Sequence, residues 1–304
     1  MSERHLRFWG VRGSYPAPYA SHMKVGGNTP CVELRLGDQV IALDAGTGII
    51  ALGQALARQQ RIRELTIILT HYHWDHISGL PFFEPAFLPG WRIRVLGPAG
   101  SADELEHLIS RQMQAPYFPV ETETWLANIE YEPLDKRPVV LNGTRISHFN
   151  AHHPGPTYGY RIEAGGKTLV YAPDNELAFI NQFIDTRMEE FDADEQRLLD
   201  EMKEEQRWQR ISFMENVDLL VHDAQYSVAA YEKKRGWGHS CYVDTVNAAL
   251  DASVKDLRLF SHDPANDDDA LAIIERHAMG LVRERRSNMA CQLAREGETV
   301  SLDD

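Results

Sequence analysis

The chain has 304 residues, 43% of them hydrophobic, enough to fill a sizeable core in one large domain or two small ones. Its 31 Lys and Arg stand against 45 Asp and Glu, a formal charge of −14, so an extended polyphosphate would be repelled unless a local basic patch received it. No segment approaches the roughly 20 apolar residues that span a bilayer, and the opening "MSERHLRFWG" lacks the apolar run of a secretory signal, which together predict a cytoplasmic protein without a membrane partner.

Taken in chain order, "LRFWG", "CVELRL" and "QVIALDAG" read as strands, the last two joined by Gly37-Asp38, a dipeptide suited to a tight hairpin turn. "GIIALGQALARQQ" has helical spacing, and residues 65–70 form a β-branched buried strand. "RIRVLGP" is a further strand, and Ser101 with Glu104 makes a capping box that predicts a helix over 102–113. "APYFPVETETW" is a proline-bounded aromatic loop. Then come "TRISHFN" and the hairpin "YGYRIEAGGKTLVYA", turning at residues 164–167. Residues 185–210, rich in Glu, Asp, Gln and Arg with scattered apolar positions, read as an acidic, solvated helical insertion in a single domain. "VDLLVHDA" and "DLRLFSHDP" are strands ending in His or Asp, separated by the helical "YVDTVNAALDAS". Strands alternating with helices predict an α/β layered domain.

The chemistry concentrates in "THYHWDHISG". His71, His73, Asp75 and His76 fall within six positions at the mouth of a buried strand, and imidazole nitrogen with carboxylate oxygen is the donor set of divalent transition metals. A surface turn would gain nothing from three histidines. Two pairs of donors leave two metals under-coordinated, so further ligands are expected at other strand ends: His152 or His153, Asp174 and His262 all follow strand-like runs. The cysteines, Cys31, Cys241 and Cys291, lie far apart and predict core thiols rather than disulfides or a zinc knot.

From "RFWGVRGS" and "GGNTPCVE" through "LDAGTG", "THYHWDHISGLPFF", "HHPGPTYGYRI", "YAPD", "HDAQY", "GWGHS" and "FSHDP", the chain resembles the metallo-β-lactamase-fold hydrolases, in the branch of RNase Z and small phosphodiesterases. The resemblance implies a four-layer αββα sandwich with its site at one edge of the two sheets. It assigns His71, His73 and His153 to one metal, Asp75, His76 and His262 to a second, Asp174 as the bridge, and Asp44 as a support for the metal loop. The cofactors implied are two divalent ions, zinc first, with manganese or iron as alternatives.

Two metals about 3.5–4 Å apart generate a nucleophile from water at neutral pH, which makes Asp75 catalytic as well as a ligand. Departure of an alkoxide then calls for a proton donor, and His239 in "GWGHS" is the candidate, paired with Asp223 where relatives often carry Glu; His222 is the rival donor, and helix capping the rival role for Asp223. That pair favours a phosphodiester over a thioester or β-lactam, and the acidic insertion argues against tRNA. What remains is a small phosphodiester, and because the motif string is similar to that of metallo-β-lactamase-fold enzymes that hydrolyse cyclic nucleotides, the resemblance implies a 3′,5′-cyclic nucleotide, with a tRNA 3′-processing endoribonuclease, a thioester hydrolase, an iron-dependent oxidase and a non-catalytic binder as alternatives. Tyr117 or Phe118 could stack on a base, Gly26, Gly27 and Asn28 could approach a phosphate, and "GLPFFEPAFLPGW" could form a homodimer patch. A thiol mechanism at Cys241, two residues after His239, is rejected, since the metals supply the nucleophile and no base is dedicated to the thiol.

Overall fold

The computed structural model describes residues 4–59, 61–178, 192, 194–198, 200, 201, 205 and 211–303. Most of the acidic insertion expected at 185–210 lies outside them. The strands are β1 (Arg4–Gly10), β2 (Cys31–Leu36), β3 (Gln39–Leu43), β4 (Glu64–Ile68), β5 (Arg92–Gly97), β6 (Asn128–Pro133), β7 (Val139–Leu141), β8 (Thr144–Asn150), β9 (Tyr158–Ala164), β10 (Lys167–Ala172), β11 (Leu219–Asp223), β12 (Asp256–Phe260), β13 (Ala290–Leu293) and β14 (Thr299–Ser301). The helices are α1 (Gly48–Ala57), α2 (Trp74–Ile77), α3 (Ala102–Ser110), α4 (Val228–Lys234), α5 (Tyr242–Asp251) and α6 (Asp268–Glu284). Two mixed sheets result, ordered β14-β1-β2-β3-β4-β5-β6 and β13-β12-β11-β10-β9-β8-β7.

The chain divides into two compact units: Met1–Arg145 with Asp263–Asp269 and Ala294–Asp304, and Ile146–His262 with Ala270–Leu293. In the first, β2 and β3 form the predicted hairpin, Gly37 taking φ 68°, a backbone state glycine adopts without a Cβ penalty. β3, β4, β5 and β6 then run parallel. The core sits where Ile49, Leu52 and Leu56, one face of α1, meet Ile67 of β4, Leu105 and Ile109 of α3, and the buried Trp91. Each such side chain stabilises the unit by about 1.5–3 kcal/mol on burial. Leu43 pairs with Ile68, so β3 and β4 end level and whatever follows them is delivered to one edge.

In the second unit, β9 and β10 form the predicted hairpin through Gly165 and Gly166, at φ 57° and 83°. β10, β11, β12 and β13 are parallel, with Ala172 opposite His222 and Asp223 opposite Phe260. Their carboxyl ends therefore coincide, the edge at which α/β sheets commonly hold ligands.

The helix predicted over 102–113 is α-helical to Ser110 and closes in a single 3-10 turn, Arg111–Met113. Its cap is a variant box: Ser101 Oγ accepts the Glu104 N–H at 3.1 Å, while Glu104 reaches past the cap to Gly100 N–H at 2.7 Å. The helix read from Gly48 stops at Ala57, and β6, β7, β13, β14, α2 and α6 were not anticipated.

Candidate functional site

In the first unit the histidine loop leaves the end of β4 and hangs on Asp44, which is fully buried at φ 61°. Its carboxylate accepts Thr70 N–H at 2.8 Å, Thr70 Oγ1–H at 3.0 Å and His76 Nδ1–H at 2.8 Å. The Thr70 hydroxyl, having donated to Asp44, is left to accept from His71 Nδ1 at 3.0 Å. Both imidazoles thereby carry a proton on Nδ1, which leaves Nε2 as the nitrogen that can ligate. The rings of His73 and His76 lie 4.5 and 4.2 Å from that of His71. Asp75 Oδ2, anchored by Ser14 N–H at 2.7 Å, sits 3.4 Å from His76 Nε2.

The second unit offers a matching arrangement. His153 Nδ1 meets the Gly238 carbonyl at 2.8 Å, and since a carbonyl only accepts, that nitrogen carries the proton. Its Nε2 faces Asp174 Oδ2 at 3.4 Å. Of the two histidines the sequence left open, it is the ring of His153 that meets Asp174; the His152 N–H is tied to Asn175 Oδ1 at 2.9 Å. Asp174 follows β10, Asp223 ends β11 and His262 follows β12, all three buried.

His239 Nδ1 is 2.8 Å from Asp223 Oδ2, and its Nε2 is 4.0 Å from Asp174. Asp223 also accepts from the N–H groups of Asn175 and Gln225, at 3.1 and 3.0 Å. The capping role weighed against it falls to Ser227, whose Oγ accepts Ala230 N–H at the start of α4. Burial pushes the Asp223 carboxyl above its ordinary range, while the facing imidazole pulls it down. His222 is a different kind of histidine. Its Nδ1 donates to the Asp223 carbonyl and its Nε2 accepts from Asn175 Nδ2, and burial pushes it down to about 4, so it is neutral and internally satisfied.

These contacts test whether a metal suits the donors. In His76 with Asp75, and in His153 with Asp174, the Nε2 opposite the anchored Nδ1 lies 3.4 Å from a carboxylate oxygen. An unprotonated Nε2 so placed is repelled by the carboxylate, and a shared cation reverses the sign. Divalent ions fit this set. The remaining expectations sort simply. Phe118 packs edge-on to Phe82 at 5.4 Å, whereas Tyr117 is 85% exposed. Gly26 and Gly27 are accounted for by close packing, because a Cβ would strike the Glu296 side chain and the Ala17 carbonyl. Leu80, Phe83, Ala86 and Trp91 of the suggested dimer patch are buried in the core, leaving Phe82 exposed. All three cysteines are buried free thiols, and burial pushes Cys241 up to about 11, which fits its rejection as a nucleophile.

Four supporting residues escaped the sequence reading: Thr70, Ser14, Asn175 and Glu176. Only their adjacency to metal-capable residues at strand ends could have marked Thr70, Asn175 and Glu176; Ser14 carries no signal, since it reaches Asp75 through its backbone.

Comparison with known proteins bears on the fold. The structure overlays that of the metallo-β-lactamase fold protein YhfI from Bacillus subtilis over 99% of both chains, at TM-score 0.68 and 16% identity. It also overlays a diphosphatase from the PhnP family over 99% of this chain and 98% of that one, at TM-score 0.64 and 15% identity. The fold is thus the metallo-β-lactamase α/β sandwich. Residues 39–193 match the family described as beta-lactamase superfamily domain, and the chain belongs to that superfamily. A Ribonuclease Z of Pyrococcus horikoshii is 25% identical over 157 residues, which is 50% of this chain and 46% of the archaeal protein, so the match spans about half the length of that relative.

Proposed function

We propose that the protein is a dinuclear-metal-dependent phosphodiesterase acting on a small phosphodiester, a 3′,5′-cyclic nucleotide first among them. The observation that carries the reading is the pair of Nδ1-anchored imidazoles, His76 and His153, each with its Nε2 turned toward a carboxylate at 3.4 Å. His71, His73 and His153 would hold one ion, Asp75, His76 and His262 the other, and Asp174 would bridge them. Zinc fits this nitrogen and oxygen set, and manganese or iron would too. When bound, such a pair supplies a nucleophile from water at neutral pH and neutralises charge on the non-bridging phosphate oxygens.

The chain's own residues do the rest. Asp44 and Thr70 fix which nitrogen His71 and His76 present. Asp223, held by two backbone N–H groups, orients His239 and stabilises its imidazolium, so that Nε2–H can protonate the leaving oxygen. With His222 neutral and occupied on both nitrogens, His239 is the donor the reading requires.

The relatives named Ribonuclease Z support a second reading, 3′-processing of tRNA, and the diphosphatase supports phosphoryl chemistry on a smaller substrate. The formal charge of −14 favours the smaller one, since every phosphate of a long polyanion would meet net repulsion. The buried free thiols fit a reducing, cytoplasmic setting; a homodimer is part of the proposal. Among the described residues no helix is long and apolar enough to cross a membrane.

The purified protein with Mn²⁺ or Zn²⁺ is expected to convert cAMP or cGMP to a nucleoside monophosphate. Inactivity on a panel of cyclic nucleotides together with cleavage of a precursor tRNA would install the second reading instead. Firmly bound iron with O₂ consumption would sink both.

A further inference from the structure

The turn that carries His239, "GWGHS", lies between α4 and α5, with only an isolated bridge from Tyr226 to Cys241 to tie its far side to a strand-like partner. Its backbone N–H groups must therefore find acceptors elsewhere. Trp237 N–H donates to the Lys234 carbonyl at 3.2 Å, and those of Gly236 and Gly238 share one carboxylate. Glu176, fully buried two residues beyond Asp174, accepts Gly236 N–H at 2.8 Å and Tyr231 Oη–H at 2.9 Å on Oε1, and Gly238 N–H at 2.9 Å on Oε2.

We propose that Glu176 is a positioning residue: by clamping the Gly236 and Gly238 amides it sets the turn that orients both His153 and His239. The inference rests on the reading above, in which His153 is a ligand and His239 the proton donor. The link to His153 is direct, because the peptide whose N–H goes to Glu176 is followed by the Gly238 carbonyl that accepts from His153 Nδ1 at 2.8 Å. The approach is close enough that a Cβ on Gly238, at φ 88°, would fall 2.4 Å from His153 Nδ1 and 2.5 Å from Pro154. His239 is the next residue along, and its ring is 5.0 Å from that of His153. One segment thus carries two imidazoles with different tasks. Charge-assisted hydrogen bonds to a buried carboxylate are stronger than neutral ones, which suits a turn with no sheet or helix ladder of its own.

Glu176→Gln tests this with almost no change of shape. Its amide has one acceptor oxygen and one NH₂, so in either orientation the NH₂ confronts a backbone N–H that the carboxylate had accepted. In the metal-free full chain, ¹⁵N-resolved imidazole spectra are expected to show both His153 and His239 as Nδ1–H tautomers in the wild type and as mixtures in the variant. Trypsin should cut the variant faster after Lys234 or Arg235. With Mn²⁺ and a phosphodiester, kcat should fall about 10- to 100-fold while KM stays within about twofold. If Glu176→Gln does not fold, Glu176→Asp withdraws the oxygens by one methylene while keeping the charge, and the same tautomer change is expected.

Native tautomers for both histidines in a folded Glu176→Gln or Glu176→Asp protein would overturn the proposal. A tautomer change in a protein whose wild type cleaves no phosphodiester would leave the clamp standing and remove the phosphodiesterase reading instead.

Discussion

In the first unit, His71, His73, Asp75 and His76 come from one short loop, and a single buried carboxylate, Asp44, organises it from behind. In the second unit the acids and imidazoles are spread from His153 to His262, and they reach a common edge because β10, β11 and β12 are parallel and level. A contiguous set needs only local hydrogen bonds to be placed. A dispersed set needs the sheet register first, and then stitching at the strand ends, which Asn175 supplies by bonding His152, His222 and Asp223. The two regions should therefore fail differently when damaged.

The sharpest contrast concerns the dispersed set, where the Asp223–His239 pair is assigned to the leaving group alone. His239→Ala is expected to lower kcat on a cyclic nucleotide, whose leaving alkoxide needs a proton, by about 10²- to 10⁴-fold. It should spare hydrolysis of bis(p-nitrophenyl) phosphate, whose leaving group departs as a stable anion, and should leave metal content unchanged. Equal losses on the two substrates would remove His239 from the role of acid.

Stability against pH separates the two regions next. Burial holds His222 down to about 4 against an ordinary 6.5. Within that window the unfolded chain binds a proton that the folded chain refuses, so stability rises with pH there and is lost as pH falls toward 4. The whole effect amounts to about 3 kcal/mol. Denaturant titrations of wild type and His222→Asn should diverge in slope across that range, and parallel curves would contradict the assignment of a neutral, buried imidazole.

A smaller effect is expected from the organiser of the contiguous set. Asp44→Asn would turn an NH₂ or a lone amide oxygen toward Thr70 and His76 where two carboxylate oxygens now accept, and metal affinity should drop about 10- to 100-fold. Competition with a chromophoric chelator reads this directly. Unchanged affinity would mean that the loop holds its shape without Asp44.

The same contrast explains how much could be read without a structure. His71 to His76 announce themselves because donors of one kind crowd into a few positions, and Asp174 and His262 are legible because each follows a run of strand-forming residues. The resemblance singled out His153 over its neighbour; the Gly238 carbonyl that orients its ring lies 85 residues away in sequence and was not legible there. Asp223 and Ser227 both stand ahead of α4 and both could cap it; only the fold shows that Ser227 is in reach of Ala230 N–H and that Asp223 is engaged with His239. Glu176 gave no signal beyond its place two residues after Asp174, since a glutamate after a strand is ordinary until three donors are seen to converge on it. The elements after Pro264 carry no residue of the proposed site.

Metal stoichiometry tests the central claim most directly. Elemental analysis of the purified chain, dialysed against trace Zn²⁺ or Mn²⁺, is expected to give two ions per chain in the wild type and at most one in Asp174→Ala, with both tautomer-anchored histidines still in place. A wild-type chain that retains no divalent ion, or an Asp174→Ala chain that retains two, would contradict the account.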